Sequence, residues 1–149
     1  MTIVVWDGKT LATDKMANDG SLKWESPKAW YVDNTIVSGV GLLQHIVLLR
    51  EWLKKGGNEE DYPRHIINSS HNSHKLIVVN KDGLSVYDGV PVPSKFYGLE
   101  PCAFGHGREF ALGAMEMGAD ARKAVEITNK YSLQCGKGVD IFTLQGGKA

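Results

Sequence analysis

Cysteine is scarce in this sequence. Cys102 and Cys135 are the only two, too few for a disulfide framework and without metal-ligand spacing. Isolated thiols of this kind read as reduced side chains and point to a cytoplasmic protein. Excess charge is missing as well: 17 Lys and Arg balance 17 Asp and Glu. The basic surplus of a nucleic-acid binder is therefore absent, and zero net charge weakly favours self-association. Long apolar runs are lacking. The longest, IVSGVGLLQHIVLL, is interrupted by Ser38, Gln44 and His45 and is too short and too polar to cross a bilayer. The first residues hold no basic segment followed by an apolar one, so no secretory signal is expected. His71 and His74 in HNSH have no carboxylate or third ligand at a usual spacing. They read as a polar loop, and no metal or cofactor is expected.

What is present suits one domain spanning 1–149, with 42% hydrophobic and 23% charged residues, long enough to bury a real core. TIVVW and KTLAT flank Asp7-Gly8, a hairpin signal. SLKWES alternates like another short strand, and KAWYV and TIVSG flank Asp33-Asn34 as a second hairpin. From Gly41 to Lys55 the apolar spacing becomes helical, with Lys54 and Lys55 at the negative end and Gly56-Gly57 as the stop. Residues 58–74 are polar and poorly periodic, with room for a short helix. KLIVVNKDGLSVYDGV returns to strands, VPVPSKFYGLEP reads as irregular or edge, and CAFG as a short strand. GREFALGAMEMG is helix-like. Asp120 is placed to cap a second helix from Ala121 to Leu133, with Ala124, Ile127, Thr128 and Tyr131 on one side. GVDIFTL closes the chain as a strand. Hairpin strands interrupted by helices predict an α+β fold with antiparallel sheets.

Taken in order, DGKTLATDKMA, KAWYVDNTIVSG, AFGHGREFALGAMEMGADARKAVEITNKY and GKGVDIFTL resemble successive segments of proteasome β subunits and of the bacterial proteasome-like peptidase of the HslV type. The likeness covers nearly the whole chain, apart from a shorter stretch near Asn58 to His74. It implies a four-layer αββα sandwich of two antiparallel sheets between helix layers, the N-terminal-nucleophile hydrolase fold. It also implies assembly into a homo-oligomeric ring, a peptide or unfolded protein as substrate, and an ATP-dependent unfoldase or other feeder for folded substrates.

The resemblance places a nucleophile at Thr2. A threonine hydroxyl is weak until a base takes its proton. Removal of Met1, expected before a residue as small as threonine, frees an α-amine of pKa ~8 beside that hydroxyl. Thr2 and Asp14 are symmetric about Gly8, so a hairpin centred on Gly8 sets them opposite each other, and Met1 in the same slot breaks the parity. Asp14 would hold a nearby lysine charged. Lys28 matches the family lysine, with Lys23 as competitor; a cation there lowers the amine pKa and stabilises a developing alkoxide. Gly39 matches the glycine whose amide faces the oxyanion. Trp30 and Val37 align near the specificity pocket. Two departures stand out: the family's Gly-Ser-Gly turn reads Gly105-His106-Gly107, and the later acidic position falls near Ser132 or Leu133. His106 could hydrogen-bond or shuttle a proton, or fill the space and block the site. The alternatives to a threonine-type endopeptidase are a catalytically inactive ring or scaffold protein that keeps the fold, and an unrelated α+β binding domain.

Overall fold

The computed structural model describes residues 1–64, 74–96 and 100–144. The order is strands β1 Ile3–Trp6, β2 Thr10–Asp14, β3 Met16–Asn18, β4 Lys23–Glu25, β5 Ala29–Val32 and β6 Thr35–Val40, then helix α1 Leu43–Lys54. Strands β7 Lys75–Asn80, β8 Gly83–Tyr87, β9 Ser94–Phe96 and β10 Cys102–Gly105 follow, then α2 Arg108–Glu116, α3 Ala121–Tyr131 and β11 Val139–Thr143. A 3-10 turn, Glu59–Asp61, lies after α1. The expected α+β architecture with antiparallel sheets is what forms. His71 and Tyr97 lie outside the described residues.

Three sheets are present among the described residues. One has the order β10-β1-β2-β11, one the order β5-β6-β7-β8-β9, and β3 and β4 make a separate ribbon. The proline-punctuated segment supplies β9, an edge strand as expected. In the four-stranded sheet Ile3 and Val5 point to a cluster with Ala111, Ala124 and Val125 of α2 and α3. The alternating Val4, Trp6 and Leu11 point to a second cluster with Ile36, Ile77, Val79 and Leu84 of the five-stranded sheet. On the far side of that sheet Val37, Leu76 and Val78 meet Ile46, Leu49 and Trp52 of α1. Period-two alternation thus gives each main sheet buried side chains on both faces of its inner strands.

The first hairpin has a different register from the one Gly8 symmetry predicts. Val4 pairs with Thr13 and Trp6 with Leu11, so Asp14 falls opposite Ile3 instead of Thr2. The cause is the Asp7 side chain. Its Oδ1 accepts from the amides of Lys9 (2.9 Å) and Thr10 (2.7 Å), and the Asp7 amide donates to the Thr10 carbonyl (3.2 Å). The turn therefore centres between Gly8 and Lys9. Helix α1 ends as read, where the Gly57 amide returns to the Trp52 carbonyl with φ +64°. Asp120 caps α3 through the Lys123 amide (2.8 Å). That helix stops at Tyr131, because Ser132 is already extended. Tyr131 is exposed, and Val125 takes the buried place it was expected to share.

Candidate active site

The end of β2 and the start of β5 meet at a buried ion pair. Asp14 is fully buried. Its Oδ1 accepts from the Ile3 amide (3.2 Å), and its Oδ2 from the amides of Met16 (3.3 Å) and Gly136 (3.2 Å). Lys28, 5% exposed, donates to both carboxylate oxygens, at 2.9 and 3.0 Å. The same ammonium donates to the Met1 carbonyl at 2.7 Å. That carbonyl is the acyl group on the Thr2 nitrogen, so the lysine charge is held beside Thr2 by an acceptor that disappears once Met1 is removed. Ser38 fixes the lysine's backbone by donating from Oγ to the Lys28 carbonyl (2.7 Å). The competing Lys23 is exposed on β4.

Thr2 is half-buried and its backbone is clamped. Its carbonyl accepts from the His106 amide at 2.8 Å. Gly105, with φ +101°, passes so close that a Cβ there would overlap the Thr2 carbonyl oxygen, and only glycine suits both conditions. Gly39 lies in β6 opposite Leu76. A Cβ on it would come within 2.6 Å of the Ile46 side chain and 2.7 Å of the Lys75 carbonyl, so its bareness lets α1 settle on the sheet.

Thr2, Lys28 and Gly39 open on a cleft of about 300 Å³ between the β3–β4 ribbon and the first turn of α1. Trp24 and Leu43 stand on its two sides. The other residues aligned with the site lie elsewhere. Val37 is in the core beneath α1. Trp30 packs on the same cluster, with the Arg50 guanidinium 4.6 Å from its ring centroid. His106 is exposed and does not line the cleft, although its amide holds Thr2. Ser132 is half-buried and Leu133 exposed. Ser38, Gly136 and Trp24 were not singled out in the sequence. Ser38 acts through a backbone carbonyl next to the paired strand, and Gly136 acts on the distant Asp14 through a backbone amide that no residue type marks.

Burial raises the Cys135 thiol pKa to about 11, with the Asp14 charge adding to the effect. Its Sγ lies 3.5 Å from the His106 carbonyl. Burial likewise raises Cys102 to about 11. Both thiols therefore stay protonated at neutral pH and are poor nucleophiles. His74 is buried, its ring 5.7 Å from that of His45. Among the described residues no three His, Cys, Asp or Glu are grouped to hold a metal, and no helix is long and apolar enough to cross a membrane.

Neither the family models nor the curated protein sequences give a match to this chain. Solved structures do. Eukaryotic HslV from Trypanosoma brucei superposes with a TM-score of 0.70 at 19% identity, over 95% of this chain and 98% of that one. BPH from Thiobacillus denitrificans gives 0.68 at 18% identity, over 95% of this chain and 96% of that one. The same protein in complex with epoxomicin gives 0.66 at 18% identity, over 95% and 97%. At these identities the likeness establishes the fold.

Proposed function

We propose that this chain, which has the fold seen in HslV, is an N-terminal threonine hydrolase acting as a peptidase, with Thr2 as nucleophile once Met1 is removed. The single observation that carries this reading is the Lys28 ammonium, shared between the Asp14 carboxylate and the carbonyl on the Thr2 nitrogen. Loss of Met1 turns that amide nitrogen into a free amine, and the neighbouring ammonium favours its neutral form. The amine takes the Oγ1 proton, directly or through one water, as Oγ1 attacks the scissile carbonyl. The Gly39 amide binds the oxyanion, and Lys28 stabilises the negative charge at Thr2. The protonated amine then gives its proton to the leaving nitrogen. A water, deprotonated by the same amine, hydrolyses the acyl ester and restores Thr2. Asp14 keeps Lys28 charged and in place. Exposure of His106 supports activity, because a side chain outside the cleft does not block it.

The three core clusters support reading the fold as four layers, αββα. With it go the homo-oligomeric ring, an ATP-dependent unfoldase as feeder and a cytoplasmic setting. The test is the intact mass of protein expressed in cells, combined with hydrolysis of fluorogenic peptides. The expected result is a mass lacking Met1, measurable cleavage, and no cleavage by Thr2→Ala at unchanged melting temperature. Cleavage that survives Thr2→Ala would overturn the nucleophile assignment. Epoxomicin, bound in the BPH structure, is the first compound to try on this chain.

A further inference from the structure

The cleft is built unevenly. On one side Ala17 lies directly across the ribbon from Trp24, so the two side chains project from the same face, a small one beside a large one. Trp24 is 44% exposed although it lines a concavity, and every residue of β4 is exposed. Facing it are Leu42, Leu43 and Ile46 at the start of α1. Leu42 is also exposed, and the side chain at the N-cap position of that helix makes no capping hydrogen bond. Charged side chains are sparse: among the described residues lining the cleft only Asp19 and Lys28 carry them, beside the terminal ammonium at Met1, and Lys28 is paired with both oxygens of Asp14. The Asp19 carboxylate already accepts from the amides of Ser21 and Leu22, which hold its pKa below the usual value and keep it ionised.

From this geometry we infer that Trp24 is the specificity-determining residue of the cleft, and that it selects peptides presenting an aromatic or long aliphatic side chain and rejects acidic ones. A flat ring in contact with solvent on one face gains by covering that face with apolar surface. A volume of about 300 Å³ admits one large side chain with room beside it. Ala17 leaves space for such a group to lie against the indole, and the α1 leucines close over it. A carboxylate lying against the indole would meet the Asp19 charge and the apolar side chains of Leu42, Leu43 and Ile46. The inference rests on the reading of Thr2 as the reacting residue, because it takes the cleft as the substrate's seat.

The experiment separates the two. Capped, uncleaved peptides differing at one position (Phe, Leu, Ala or Glu) are titrated calorimetrically into the Thr2→Ala variant of the full chain. The same series with a fluorogenic leaving group is offered to the Met1-free protein. Phe and Leu are expected to bind at least about tenfold more tightly than Glu. Trp24→Ala should collapse that ratio and Trp24→Phe should restore most of it; β4 is exposed, so both variants should fold. The same ratio should appear in KM more than in kcat. Selective binding without hydrolysis keeps the specificity assignment and removes the nucleophile reading. Hydrolysis with no preference among the four, or a Phe-to-Glu ratio unchanged in Trp24→Ala, overturns the assignment. If the peptides neither bind nor react, both fail.

Discussion

Asp14 is the residue on which the site turns, because five hydrogen bonds converge on one buried carboxylate. A buried ion pair is expensive to desolvate, and removing one partner strands the other. Asp14→Ala should therefore destabilise the chain by about 3–5 kcal/mol, read as a lower urea midpoint. Lys28→Met alone should cost a similar amount, since the carboxylate would lose its cation. The double variant Asp14→Ala/Lys28→Met should be less unstable than the sum of the two, because neither charge is then left alone. Strict additivity would mean that the pair is not coupled as the distances imply. Little of this was legible residue by residue. Asp14 and Lys28 stand out only through the order of the segments around them, and symmetry about Gly8 misplaces the turn centre by one half-step, since Asp14 faces Ile3. What now ties Thr2 to the pair is the Met1 carbonyl on Lys28.

Elements were read more readily than their registers. Asp7-Gly8, Asp33-Asn34 and Lys81-Asp82-Gly83 each announced a turn, and the helical spacing of α1 was plain, since these signals are local. Register was not, because it depends on which amides one aspartate side chain captures. The seat of Trp24 was hidden for a different reason: an exposed strand residue has no period to betray what faces it. At this scale Gly39 has a definite mechanical part, the point where β6 yields to α1. Gly39→Ala should cost about 1–3 kcal/mol through overpacking against Ile46 and the Lys75 carbonyl. Adding Ile46→Val should recover only part of the loss, because the Lys75 carbonyl is backbone and remains. Thermal denaturation of the two variants beside the parent chain decides it; full recovery would show that the backbone contact does not matter.

At the scale of the molecule, the inner strands of the two main sheets are buried on both faces, which leaves strand ends and the loops beside them as places for reactive groups to gather. That is where Thr2, Asp14 and Lys28 lie. Phe110, Leu112, Met117 and Leu133 are large apolar residues left exposed on and near the paired helices α2 and α3. The proposed ring would cover surface of this kind. Native mass spectrometry is accordingly expected to show a closed assembly of several chains, equally well formed by Thr2→Ala; a monomer at micromolar concentration would count against the ring. The clamp on the Thr2 carbonyl has a practical corollary. It grips the backbone one residue inside Met1, whose side is open to solvent, so the fold should tolerate an affinity tag fused ahead of Met1. Under the proposed mechanism such a fusion would purify well, melt normally and stay silent until a protease trims it to a bare threonine.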